Sequence, residues 1–253
     1  MPESIICPLR RAIKAQKPAL GAWITFPGAA VARTVARTPG ITWALIDAEH
    51  GLITDSDYYN MVNAVAACGV SPIIRIPSDE AWMVKRALDS GAHGVMVPMV
   101  NSTEIAAKIV SACKYPPEGI RGFGPMFTHA AGALGDDYKA TANDDLVIAV
   151  QIENPNSVKE IDAILTTGVD VAFIGPFDLS VSMNVPFGSP EHEGAIEKIR
   201  LACKKAGKTS AIFCLNGEQA KMRLAQGFDM VSVSTDIDSL GNFLTAAFAT
   251  AQS

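Results

Sequence analysis

The sequence has no close pair of cysteines. Cys7, Cys68, Cys113, Cys203 and Cys214 are scattered and odd in number. That spacing excludes a CxxC redox couple and a cysteine-built zinc site, and it argues for buried thiols in a reducing cytoplasm rather than a disulfide framework. Long hydrophobic runs are also missing, so no segment reaches the length of a membrane span. The first residues, MPESIICPLRRAIKAQK, hold only Ile5-Ile6-Cys7 as an apolar piece, too little for a secretory signal. Cations are in the minority: 21 Lys and Arg against 26 Asp and Glu give a net charge of −5, which argues against nucleic acid as a partner. Hydrophobic residues, in contrast, make up 49% of the 253 residues, enough for a sizeable core.

Short apolar runs alternate with longer amphipathic ones. The strand-like runs are LGAWITF, WALIDAE, SPIIRIP, GVMVPMV, LVIAVQIE, VAFIGPF, TSAIFCL and DMVSVST. Between them lie helical patterns such as SDYYNMVNAVAACG, AWMVKRALDSG, STEIAAKIVSACK, NSVKEIDAILTTG, EGAIEKIRLACKKAG and NGEQAKMRLAQG, several closed by glycine. Strands this apolar suit a parallel sheet covered on both faces. About eight such strand–helix units in a chain of this length predict a closed (β/α)8 TIM barrel as a single domain over residues 1–253. The alternative, an open doubly wound sheet, lacks its GxGxxG turn, because Gly21-Ala22-Trp23 does not fit. A helix over 8–17 is expected to cap the barrel bottom. The stretch from Tyr115 to about Asp145 reads as one long irregular connection, of the kind that is usually functional.

Chemistry in such a barrel sits at the carboxyl ends of the strands. The second strand ends in Asp47-Ala48-Glu49-His50, the third in Arg75, the fifth in Gln151-Ile152-Glu153, and the sixth runs into Gly175-Pro176-Phe177-Asp178. Glu153 and Asp178 end consecutive strands and suit a hard divalent cation such as Mg2+ or Mn2+; Asp178 as a helix-start cap is the other reading. Gln151 shares the face of Glu153 and either donates to a ligand oxygen or bonds a neighbour. Arg75, in an apolar strand, needs an anion: a substrate, or Glu49 on the adjacent strand. His50 is the group that titrates near neutral pH, with Asp47 expected to hold one of its ring nitrogens. His93 lies at the wrong strand end, His192 in a polar helix and His129 in the long connection.

Two further absences narrow the reaction. No lysine occupies the latter half of a strand, and Lys208 begins the seventh, so a Schiff base has no amine to form it. The turns LNGEQA and STDIDSL after the last two strands are not phosphate nests, so a phosphorylated substrate is not expected.

The segments GAWITFPG, DAEHG, IIRIP, GVMVPMVNSTEIA, RGFG, QIE and GPFDLS, in this order, resemble the HpcH/HpaI aldolase family. The family's members include metal-dependent class II pyruvate aldolases and an oxaloacetate-decarboxylating relative. The resemblance implies a barrel that binds a divalent cation (Mg2+, with Mn2+ or Co2+ as alternatives) through Glu153 and Asp178. It implies Arg75 and Gln151 on the pyruvate oxygens, His50 with Asp47 as an acid/base dyad, and Trp23, Gly175 and Leu215 beside the substrate. The partners it implies are a small keto acid, an aldehyde and further copies of the chain in a hexamer built as a dimer of trimers. The apolar C-terminal segment IDSLGNFLTAAFATAQS would then pack on a neighbouring subunit; in a monomer it would lie on the barrel wall. From Gly122 to Tyr138 there is no Lys or Arg, which puts a dicarboxylic substrate in doubt.

Overall fold

The computed structural model describes residues 5–253. Eight parallel strands close into a barrel in chain order. They are β1 (Ala19–Ile24), β2 (Trp43–Asp47), β3 (Ser71–Arg75), β4 (Gly94–Val97), β5 (Val147–Ile152), β6 (Val171–Ile174), β7 (Thr209–Ile212) and β8 (Met230–Thr235). The (β/α)8 expectation therefore holds. Helix α1 (Pro8–Lys14) precedes the barrel, and α2 (Ala29–Ala36), α3 (Asp55–Ala66), α4 (Ala81–Asp89) and α5 (Thr103–Cys113) follow the first four strands. Then come α6 (Gly135–Asp145), α7 (Pro155–Ile164), α8 (Pro176–Met183), α9 (Pro190–Ala206), α10 (Gly217–Ala225) and α11 (Asp236–Gln252).

The interior is filled by side chains in layers. Phe173 lies 5.9 Å from the Trp23 ring and 6.3 Å from that of Trp43. Trp43 fits because its neighbour across the β1–β2 pair is Gly21. A Cβ at Gly21 would stand 2.1 Å from the Trp43 ring.

Helix α1 closes the bottom, ending three residues earlier than expected, where Gln16 takes a left-handed φ of 52° ahead of Pro18. The Leu9 N–H donates to Ser71 Oγ at 2.9 Å, and the Arg10 guanidinium donates to both Asp170 oxygens at 2.7 and 2.8 Å. Arg10 also donates to the carbonyls of Asp145 and Leu146. One cation thus ties the starts of β5 and β6 to the cap.

The helical patterns singled out in the sequence do not include α2 and α6, and α8 entered only through the reading of Asp178 as a helix-start cap. α2 is short, and α6 and α8 carry too weak an apolar stripe. The connection from Tyr115 to Asp145 is accordingly only partly irregular: it contains a 3-10 turn at Thr128–Ala131 and α6. It also faces away from the strand carboxyl ends. A segment between a helix and the next strand returns to the bottom, and here Ala130 O accepts from His93 Nε2 at 2.9 Å while Ile6 N–H donates to Ala131 O. His129 lies with it beside a small bottom cavity. The missing cations of 122–138 therefore say nothing about this barrel's own site.

Gly21→Ala is expected to destabilise the fold by at least ~1–3 kcal/mol, the cost of overpacking a filled core. Urea unfolding measures it as a lowered midpoint at unchanged slope.

Candidate active site

Asp47 and Arg75 are cross-strand partners in the β2–β3 register, so their side chains leave the sheet on the same face at the same height. Arg75 Nε donates to Asp47 Oδ1 at 2.8 Å, and Nη2 donates to Oδ2 at 2.7 Å. Its Nη1 donates to Gln151 Oε1 at 3.2 Å and lies 2.8 Å from Glu49 Oε2, close but off the hydrogen-bond direction. The guanidinium also stacks over Trp23, 4.4 Å from the ring centroid. A guanidinium gripped on two sides and packed on an indole has one orientation.

From Arg75 the network runs on to Glu153. Gln151 Nε2 donates to Glu153 Oε2 at 2.8 Å, and the Met99 N–H donates to Oε1 at 2.6 Å. Met99 holds that amide in place at a left-handed φ of 52°, an unusual conformation for a methionine. Gly175 is glycine because Glu153 leaves no room: a Cβ there would meet Glu153 Oε2 at 2.3 Å. Burial, reinforced by the charges of Asp178 and Glu49, pushes the Glu153 carboxyl up to about 7, against the Met99 N–H and Arg75. Burial likewise raises the Glu49 carboxyl, with Arg75 and His50 opposing.

His50 and Asp178 stand further out. The Asp47 carboxylate does not hold the His50 ring as expected. Its Oδ1 instead accepts the backbone N–H groups of Glu49 and His50 at 3.1 and 3.3 Å, an Asx-type turn at the strand end. The physical reason is that Arg75 sits directly across the sheet, whereas His50 lies beyond the turn. The His50 side chain is 70% exposed, with Nε2 3.8 Å from Glu49 Oε1. Asp178 is in the first turn of α8 and makes no side-chain cap bond there; it is exposed. Leu215 is exposed on the rim after β7.

Sequence reasoning missed Met99, whose backbone amide carries no sequence signal, and Phe213, which sits edge-on to Trp23 at 5.3 Å. It also placed His192 on a polar helix. The ring is buried: Gly188 N–H donates to its Nδ1, so its Nε2 carries the proton donated to Pro176 O at 2.8 Å. This fixes the start of α8, and with it Asp178, against α9.

The fit of a divalent cation rests on Glu153 and Asp178. A carboxylate raised by burial, and further by two neighbouring negative charges, is one that a cation relieves. No cluster of three or more His, Cys, Asp or Glu is drawn together among the described residues, so a cation here would keep waters or ligand oxygens in its remaining positions, as Mg2+ commonly does.

A parallel barrel with a guanidinium, carboxylates and an imidazole gathered at its strand carboxyl ends is built as an enzyme of the TIM-barrel kind. Residues 20–242 match the HpcH/HpaI aldolase/citrate lyase family. The chain is 36% identical over 244 residues to the hydroxypyruvate/pyruvate aldolase of Agrobacterium fabrum, covering 95% of this chain and 91% of that protein. It is also 36% identical over 234 residues to the 2-keto-3-deoxy-L-rhamnonate aldolase of Klebsiella pneumoniae, covering 90% and 87%. The crystal structure of an HpcH/HpaI aldolase/citrate lyase family protein from Burkholderia cenocepacia superposes with a TM-score of 0.91 at 31% identity, covering 98% of this chain and 100% of that one. The chain belongs to the HpcH/HpaI aldolase/citrate lyase family and is an aldolase, a carbon–carbon lyase.

The raised Glu153 carboxyl sets a pH dependence. The folded state binds this proton up to about pH 7, the unfolded chain only to about its ordinary 4.5. Between those values the fold binds more protons than the unfolded chain, so the metal-free protein loses stability as pH rises through the window. Glu153→Gln should flatten that loss and raise the metal-free Tm at pH 8. Mg2+ or Mn2+ should raise the wild-type Tm at pH 8 and leave that of the variant unchanged, as differential scanning fluorimetry would record.

Proposed function

We propose that the protein cleaves, or in reverse forms, a 4-hydroxy-2-keto acid, with pyruvate as the keto-acid product and an aldehyde as the other. The observation that carries this reading is the continuous chain Asp47–Arg75–Gln151–Glu153, which ends on a carboxylate in need of a cation. It is supported by the family and by relatives named as aldolases of hydroxypyruvate/pyruvate and of 2-keto-3-deoxy-L-rhamnonate.

In this reading Glu153 and Asp178 hold a divalent cation, Mg2+ or alternatively Mn2+ or Co2+. When bound, the cation supplies a Lewis acid for a keto acid. Asp47 orients Arg75, and the guanidinium, stacked on Trp23, faces the negative charge that develops on the enolate oxygen. Gln151, anchored at both ends of its amide, fixes the keto acid's plane, and Gly175 leaves the backbone close enough to line it. In cleavage the His50 imidazole takes the proton from the 4-hydroxyl. The C3–C4 bond breaks, its electron pair passes to the pyruvate enolate, and the aldehyde leaves past Leu215. In synthesis the same ring returns the proton. Glu49 Oε1 stands 3.8 Å from His50 Nε2, beside the ring that carries the proton.

The test separates proton transfer from enolate stabilisation. Oxaloacetate decarboxylation passes through the same enolate and moves no proton on an aldehyde oxygen. His50→Ala should therefore lower aldol cleavage by about 10²–10⁴-fold while sparing decarboxylation by comparison, with metal content measured in the same preparations. Equal loss of both activities with metal retained would reject the role given to His50.

We further propose that the chain works as one barrel domain within a homo-oligomer, a hexamer by family resemblance, in a reducing cytoplasm. Supporting the location, the five cysteines are all free thiols; no helix among the described residues is long and apolar enough to cross a membrane. Supporting the oligomer, α11 has no buried residue along its 17 positions, although it carries Leu240, Phe243, Leu244 and Phe248. Beside its start a cavity of about 540 Å³ opens between β1, α2 and β8, lined by Leu20, Val31, Val35, Ile41 and Val233. The wall lacks an outer helix there, and α11 of a second copy supplies one of the right length and polarity. Phe243→Asp should shift the protein toward smaller assemblies in multi-angle light scattering; a wild-type monomer at micromolar concentration would reject the proposal.

A further inference from the structure

The rim divides into two halves of opposite character. One half carries Asp47, Glu49, Glu153 and Asp178, with Arg75 already clasped by Asp47 and close to Glu49. The other half is aromatic. Trp23 and Phe213 meet edge to face at 5.3 Å, Phe177 of α8 stands 6.2 Å from Phe213, and Phe187 stacks on Phe177 at 4.8 Å with an interplanar angle of 18°. Trp23 is buried at the floor, while Phe177 and Phe187 are 43% and 42% exposed. The four rings make a continuous wall from the guanidinium out to solvent.

Apart from Arg75, the face carries no Lys or Arg. The connections that leave the strand carboxyl ends, residues 25–28, 48–54, 76–80, 98–102, 153–154, 175 and 213–216, contain no Lys or Arg. Nor does the first turn of any helix that follows a strand: α2 to α5, α7, α8, α10 and α11 open with AAVA, DSDY, AWMV, TEIA, PNSV, PFDL, GEQA and DIDS. Acidic residues at these positions complement the helix dipoles, and they leave the face negative. Even with a divalent cation bound, the four carboxylates and a keto acid outnumber the positive charges.

We propose that the second substrate is an uncharged aldehyde, whose carbon chain lies along Trp23, Phe213, Phe177 and Phe187. This deepens the aldolase reading and rests on it. A carboxylate on the aldehyde would enter a field of like charge with no free cation to meet it and an aromatic wall that cannot solvate it. An alkyl or hydroxyalkyl chain buries its carbons on the rings and keeps hydroxyls toward solvent.

The experiment uses two aldehydes of equal carbon number, butanal and succinic semialdehyde, which differ by one carboxylate. With pyruvate and Mg2+ present, kcat/KM for aldol addition is expected to favour butanal by about 10²-fold, as like-charge repulsion of this kind supplies. Phe177→Arg, which places a cation at the exposed end of the wall, should narrow that ratio at least tenfold by raising the succinic semialdehyde value. Exchange of the pyruvate methyl hydrogens for deuterium in D2O needs no aldehyde and reports enolate formation separately. Exchange in the wild-type enzyme together with equal or better use of succinic semialdehyde would overturn the inference and leave the aldolase reading standing. No exchange with metal bound would overturn the aldolase reading and this inference with it.

Discussion

The site depends on the pairing of Arg75 with Asp47. A guanidinium that is 6% exposed survives at the end of an apolar strand only because a bidentate carboxylate meets it in register across the sheet. Removing one member of such a buried pair costs about 3–5 kcal/mol, because the other charge is left without compensation. With the pair in place, Gln151 has a donor for its amide oxygen and can point its amide nitrogen at Glu153. The polarity of the whole network follows from that one bond direction: guanidinium donors first, then amide, then an acceptor carboxylate at the end.

Glu153 is thereby the point where the network's demand for positive charge accumulates. Its oxygens receive one amide N–H from the side chain of Gln151 and one from the backbone of Met99, yet burial still holds the carboxyl near about 7. Two neutral donors do not replace the hydration that burial removes. The fold also spends conformational freedom here: Met99 adopts a left-handed φ and Gly175 gives up a side chain, both within reach of the same carboxylate. Local structure on β4, β5 and β6 is arranged around a single acid, as expected where a charged ligand is to be bound.

The barrel's two ends divide stability from chemistry. At the bottom, Arg10 is consumed by Asp170 and by strand-end carbonyls, and His93 is held by Ser71 and Ala130, with burial pushing the imidazole down to about 4. These groups have internal partners. At the top, His50 and Asp178 remain exposed, and the aromatic rings of Phe177 and Phe187 stand partly in solvent. The same residue types are locked at one end and available at the other. The long connection before β5, which the sequence marks as unusual, belongs to the locked end.

The alternation of apolar strands with amphipathic helices is a property of the chain, and it dictated the barrel without further help. The positions of Asp47, Arg75, Gln151, Glu153 and Asp178 near strand ends were equally legible, because strand periodicity and the parallel topology bring every such end to one rim. What no linear pattern held was who pairs with whom. Asp47 stands three residues from His50 and 28 from Arg75, and sequence distance favoured the histidine. Register decided for the arginine, because residues level with each other on adjacent parallel strands project from the same face, while a turn carries His50 out of reach. Backbone donors such as Met99 N–H, the ring contacts of Phe213 and the outward course of α11 were decided in the same way. Each depends on which surfaces lie across the fold, a property of three-dimensional proximity that residue identity does not encode.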